Sequence, residues 1–316
     1  MKKTIWIMMT LFLMTVCFGV LTIGQKTYAA EATARKKAIL VVSFGTTFAD
    51  TRKITTEAVE DKIKAAFPDY EVRHAFTSRI IIKRLADRDG LHFDTEKQAL
   101  DKLKADGYKE IIIQPLHMEA GDEYAKLMHV VDNYKKSFEK ISVGRPVLYY
   151  TGQEGEKPDD YLIAIKAMQT QFPKLGKGEA IALMGHGGLN PSNTAYAALQ
   201  MKIQDAGLKN VFVFTVEGYP TIENVIKELK DNKIKKVTLM PIMLVAGDHA
   251  NNDMAGDDKE SFKSQLIAAG FKVETYIHGL GENVGIQDIY VQHVKDAITG
   301  AYTERSKDRP AIPVIN

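Results

Sequence analysis

The chain has 316 residues, 45% of them apolar and 26% charged, with a formal net charge of +2. That balance belongs to a globular protein with enough core for one large or two ordinary domains, and it excludes a disordered chain or a nucleic-acid surface built on basic excess. The single cysteine, Cys17, lies in an N-terminal apolar stretch. A chain cut near Ala30 would hold no thiol, which excludes disulfides, thiolate metal sites, covalent haem attachment and cysteine nucleophiles.

Residues 1–30 read as a secretory signal peptide: Lys2 and Lys3, an uncharged span from Thr4 to Gly24, then small residues up to Ala30. The uncharged span is long enough to cross a bilayer, so an uncleaved N-terminal anchor is the alternative, and the only membrane contact expected. In either case the globular part is exported, to the periplasm or another extracytoplasmic space. Losing Lys2, Lys3 and Lys26 would shift the net charge to about −1.

After a polar lead-in, apolar runs and helical spacing alternate. In the first half they predict strands at 38–43, 70–76, 109–116 and 146–150, with helices at 51–67, 80–90, 95–105 and 121–141. Gly, Pro and charge cluster at 151–160, the expected boundary. The second half predicts helix 161–171, strand 179–184, helix 194–205, strand 210–217, helix 221–230, strand 235–245, helix 259–269, strand 271–277 and helix 286–299. The expected fold is α/β: two similar doubly wound parallel-sheet lobes, 35–155 and 156–303, and a tail at 304–316.

The halves are related by an internal repeat. KEIIIQPLHMEAGDE (109–123) aligns without a gap to KKVTLMPIMLVAGDH (235–249), sharing Lys, Pro, Ala, Gly and Asp and setting Glu123 opposite His249. AILVVSFGTT (38–47) aligns to AIALMGHGGL (180–189), with Phe44 opposite His186. Ligand sites of open α/β sheets form beyond the carboxyl ends of the strands, so facing lobes would bring His186, His249 and Glu123 toward one cavity. For Asp122 and Glu123 the competing reading is a helix first turn that favours carboxylates.

Other chemistries find no support. The glycines around His186 lack the GxGxxG order and a following Lys-Ser or Lys-Thr pair, so nucleotide binding is not expected. Neither a GxSxG elbow nor an HExxH pair occurs. Two imidazoles and a carboxylate suit a divalent first-row metal such as Co, Ni, Fe or Zn, and imidazoles also accept protons near neutral pH. His117 lies on the same face. Asp248 and Asp253 are placed to orient His249, or to solvate its loop and cap the next helix. His74, His92, His129, His278 and His293 read as locally hydrogen-bonded residues.

The blocks VVSFGTTFADT, AFTSRIIIKRLADRDG, PLHMEAGDEY, MGHGG, VEGYP, PIMLVAGDHANNDMAGDD and GLGEN, in this order, resemble the anaerobic sirohydrochlorin cobaltochelatases of the CbiK type from about residue 37 to 301. The resemblance implies a class II chelatase fold of two pseudo-twofold-related lobes with the tetrapyrrole in the cleft. It implies His186 and His249 as metal ligands and proton acceptors, and Glu123 as the carboxylate completing the metal site. The implied reaction inserts Co2+ into sirohydrochlorin with release of two protons and without a nucleotide, on the anaerobic route to cobalamin; Ni2+ or Fe2+ would suit the same donors. Arg79 is expected to meet a substrate carboxylate. An export signal sits oddly with a cytoplasmic pathway, so extracytoplasmic metal or tetrapyrrole handling is the related expectation. The alternative is a non-catalytic extracytoplasmic protein that binds metal or metal-tetrapyrrole for uptake. A homo-oligomer is compatible with the sequence but not encoded legibly in it.

Overall fold

The structure, a computed structural model, describes residues 36–153 and 157–302. The expected signal peptide and the tail lie outside the described residues. Strands β1 (Lys37–Ser43), β2 (Glu71–Phe76), β3 (Glu110–Pro115) and β4 (Lys140–Val143) form a parallel sheet in the order β2-β1-β3-β4. A short antiparallel hairpin, β5 (Thr151–Gln153) with β6 (Lys157–Asp159), follows. Strands β7 (Glu179–Gly185), β8 (Val211–Thr215), β9 (Lys236–Pro241) and β10 (Lys272–Thr275) form a second parallel sheet, β10-β9-β7-β8. Matched strand for strand, the two orders are the same.

The register agrees as well. In the first sheet Ala38 pairs with Ile111 and Val42 with Pro115; in the second Ala180 pairs with Val237 and Met184 with Pro241. These are the residues that the repeat sets opposite one another. Both central strands are buried on both faces, as parallel strands under helices must be. Side chains alternate along a strand, so Ile39, Val41, Ile181 and Leu183 point into one core shared by the two sheets. Ala38, Leu40 and Val42 face a separate outer core, and Ala180, Ala182 and Met184 face another. Burying each large aliphatic side chain contributes about 1.5–3 kcal/mol.

The helices are α1 (Ala49–Ile54), α2 (Thr56–Ala66), α3 (Arg79–Asp89), α4 (Glu96–Ala105), α5 (Asp122–Asp132), α6 (Asp160–Met168), α7 (Thr194–Asp205), α8 (Ile222–Asp231), α9 (Phe262–Ala268) and α10 (Val284–Thr299). The outer cores are covered by α4 and α5 on one sheet and by α8 and α9 on the other. The shared core is filled by α2, α6, α7 and α10. The last helix leaves the second sheet and packs on α2, α6, β3 and β4. Among the described residues no helix is long and apolar enough to cross a membrane.

Four elements differ from expectation. The helix expected at 51–67 breaks at Thr55, whose φ of −118° and ψ of −87° are not helical. Thr55 is fully buried beside Gly281, and its hydroxyl bonds back to the Thr51 carbonyl at 2.5 Å, an alternative to the helical ladder. The helix expected at 121–141 ends at Asp132, and Lys140–Val143 becomes the fourth strand. A short, half-buried edge strand carries too weak an alternation to be read locally. The strand expected at 146–150 reduces to a single bridge between Leu148 and Glu119. The strand expected at 235–245 stops at Pro241, and β3 stops at its counterpart Pro115, because proline offers no N–H to extend a ladder.

One buried ion network ties these parts together. Arg145 donates to both oxygens of Asp160 (2.8 and 3.0 Å) and to Asp296 on α10 (2.6 Å), while its carbonyl meets Nδ1 of His293 (2.9 Å). Burial would push the Asp160 carboxyl up, but bonds from His293 and Arg145 hold it below its ordinary value near 3.8. Its contribution is therefore present above that value and lost as pH falls through the lower folded one. Arg145→Met, which strands two buried carboxylates, is expected to lower the unfolding free energy by about 3–5 kcal/mol in urea titrations at pH 7. Below about pH 4 the gap between variant and wild type should narrow; a gap that widens there would show that the network is not the cause.

Candidate active site

Because β7 and β9 are neighbours, the loops leaving their carboxyl ends emerge side by side. His186 follows β7 directly, and His249 opens the turn reached through the buried segment 242–246. The two imidazoles meet edge to face, with centroids 4.8 Å apart and planes at 89°.

Each ring is held at Nδ1. His249 Nδ1 lies 2.6 Å from Asp253 Oδ2, across one turn of a π-helix, Ala250–Met254, whose buried ends Ala250 and Met254 anchor it in the outer core. His186 Nδ1 lies 2.9 Å from the Gly187 carbonyl. An oxygen acceptor at Nδ1 fixes the proton there and leaves a lone pair on Nε2. Both histidines are thereby set as metal donors or bases. Gly187 has φ of +79°, and a Cβ there would lie 2.6 Å from Thr215 Cβ, so the turn that presents His186 needs glycine.

The other predicted site residues are distributed differently. Asp253 holds His249, whereas Asp248 accepts a bond from Asn252 at 2.8 Å and stabilises the turn instead. Glu123, in the first turn of α5, is 2.9 Å from Lys126; burial pushes its carboxyl up, and the Lys126 ammonium together with Thr77 and His117 brings it below its ordinary value. His117 has both ring nitrogens shielded from water and without a partner, and burial takes its pKa down to about 4. Arg79 forms a two-pronged pair with buried Glu96 (2.9 and 2.8 Å) and donates to the Thr77 carbonyl. Its side chain is still more than half exposed. Among the described residues no three His, Cys, Asp or Glu side chains are gathered closely enough to hold an ion.

Comparison with known proteins decides the family. The cobalt chelatase (CbiK) family model matches residues 37–299. The chain belongs to the CbiK cobalt chelatase family. A sirohydrochlorin cobaltochelatase from Salmonella typhimurium is 40% identical over 269 residues, covering 85% of this chain and 99% of that protein. Sirohydrochlorin cobaltochelatase CbiKC from Nitratidesulfovibrio vulgaris is 32% identical over 267 residues, covering 84% and 91%. In fold, SirB from Bacillus subtilis, solved with Fe3+, superposes with a TM-score of 0.58 at 17% identity over 85% of this chain and 98% of that one. The chelatase-like fold expected from the sequence is the one observed.

Three further residues near the two histidines were not singled out by sequence. Glu217, after β8, donates its backbone N–H to the His186 carbonyl at 2.9 Å, and its exposed carboxylate enters no ion pair among the described residues. Glu119 and Tyr196 approach His186 from elsewhere in the chain. Only Glu217 had a local signal, a carboxylate in the VEGYP block. Replacing Asp253 by Ala removes the acceptor that orients His249, and the Co2+ concentration needed for half-maximal turnover is expected to rise about 10–100-fold. An unchanged dependence on Co2+ would mean that the aspartate only caps its turn.

Proposed function

We propose that this chain is a sirohydrochlorin cobaltochelatase, a metal-chelating lyase-type enzyme that inserts Co2+ into sirohydrochlorin and releases two protons. The observation that carries the reading is the His186–His249 pair, two imidazoles 4.8 Å apart with both Nδ1 atoms already engaged. It stands at adjacent strand ends in a chain that matches the family over residues 37–299.

Insertion exchanges two pyrrole protons for one dication, so the site must present both donors for the ion and acceptors for the protons. The two Nε2 atoms serve both needs in turn: they ligate the arriving ion, then take up pyrrole protons as it passes into the ring. Asp253 Oδ2, 2.6 Å from Nδ1 of His249, holds that ring in one orientation while Nε2 acts. A carboxylate donor completes the set. Glu217 stands next to His186 through the backbone, and Glu123 is the acid that the family resemblance nominates; Lys126 competes for Glu123. Arg79, anchored by Glu96, has N–H donors to spare for a carboxylate on the macrocycle rim. Ni2+ and Fe2+ fit the same nitrogen and oxygen donors, so ligand type by itself does not choose among the three ions. The export reading of residues 1–30 places this chemistry outside the cytoplasm.

His186→Ala and His249→Ala should each lower kcat/KM for Co2+ insertion at least about 100-fold, followed by the absorbance change of sirohydrochlorin under steady-state conditions. Wild-type protein should complete many turnovers per site. A reaction that stops at one equivalent identifies a carrier, and full activity in both variants removes the histidines from the mechanism. In the same assay Glu217→Gln is expected to cost about tenfold or more and Glu123→Gln less; the reverse order would assign the carboxylate to the facing loop.

A further inference from the structure

The two histidines are not held equally well. His249 is braced by a carboxylate on its own turn, but the ring of His186 bonds to the next peptide carbonyl, which moves with it. Its loop must be fixed from outside. Tyr196, on α7 and 1% exposed, lays its ring against Gly185, where a Cβ would be 2.2 Å from Tyr196 Cε1. This puts the tyrosine ring directly under the start of the loop that carries His186. The hydroxyl's own proton points to Glu119 Oε2, 3.5 Å away on the loop after β3 in the other half of the chain.

Glu119 is there because of its neighbours. Leu148 bridges to its backbone, and Gly121 leaves room for its carboxyl: a Cβ at Gly121 would be 2.7 Å from Oε1. The same two loops are joined again by Asn190 Nδ2 to Asp122 Oδ1 at 2.6 Å. Burial pushes the Glu119 carboxyl up. We propose that Glu119 and Tyr196 form a positioning pair that braces the His186 loop from the opposite half, so that metal insertion depends on a bond spanning the two sheets. The inference rests on the chelatase reading given above. At 3.5 Å the bond is at its outer limit, as bonds serving a reaction often are before substrate is bound.

The test is steady-state Co2+ insertion into sirohydrochlorin by the full chain. Tyr196→Phe, which keeps the ring on Gly185, should lower kcat about tenfold and leave KM for sirohydrochlorin within about twofold. Glu119→Leu should show the same loss. Glu119→Gln, which retains an acceptor for the hydroxyl, should stay within about twofold of wild type. The double variant Glu119→Leu with Tyr196→Phe should be no slower than either single one, since the two act as a unit. Wild-type kcat in Tyr196→Phe or Glu119→Leu, or a double variant whose loss is the product of the single losses, overturns the pair. If Tyr196→Phe melts far below wild type, the Leu against Gln comparison at Glu119 decides alone. Full rate in His186→Ala would sink the chelatase reading itself, whereas loss in His186→Ala with none in Glu119→Leu sinks only the pair.

Discussion

The constraint on which the rest depends is the parallel pairing of β7 with β9 in the register Met184 to Pro241. Two residues past Met184 comes His186; eight past Pro241 comes His249. A slip of one residue would turn every side chain of a strand to its other face and part the imidazoles. The register is held by burial, because Ile181 and Leu183 must reach the shared core while Ala182 and Met184 reach the outer one. Catalytic geometry is thus underwritten by hydrophobic alternation, which loses free energy on any shift.

The first sheet repeats this framework and carries different chemistry at its ends. Phe44 stands where His186 does, and Glu123 where His249 does. His117, opposite Met243, has two unpaired buried nitrogens, a costly arrangement that structures tolerate mainly near functional sites. One half of the duplicated fold supplies the pair of imidazoles. The other contributes a supporting wall, with Glu119, Asp122 and Glu123 on the loop and helix that face the His186 loop.

A division of labour follows between local and long-range supports. Asp253 steadies His249 from four residues away, within one unusual helical turn. The near support of His186 is the Gly187 carbonyl, which moves with the ring, and the proposed bracing passes through Tyr196 to a residue 77 positions earlier than that tyrosine. The Arg145 network and the return of α10 to the first sheet join the halves in a similar way, through contacts between segments far apart in sequence.

Much of this was legible in the chain. The central strands, the repeat and its register, and the partnership of His186 with His249 follow from periodicity and repeated residues, which are properties of neighbouring positions. The sequence also named Asp253, but only together with Asp248; the helical turn that puts Asp253 rather than Asp248 on the His249 ring came from the fold. Tertiary structure alone decided that Lys140–Val143 would be an edge strand and that Asp248 would bond Asn252. It alone set Glu217 beside His186 and Glu119 beneath Tyr196. Those outcomes depend on which distant groups compete for the same space or proton, and no local pattern of residues encodes that competition.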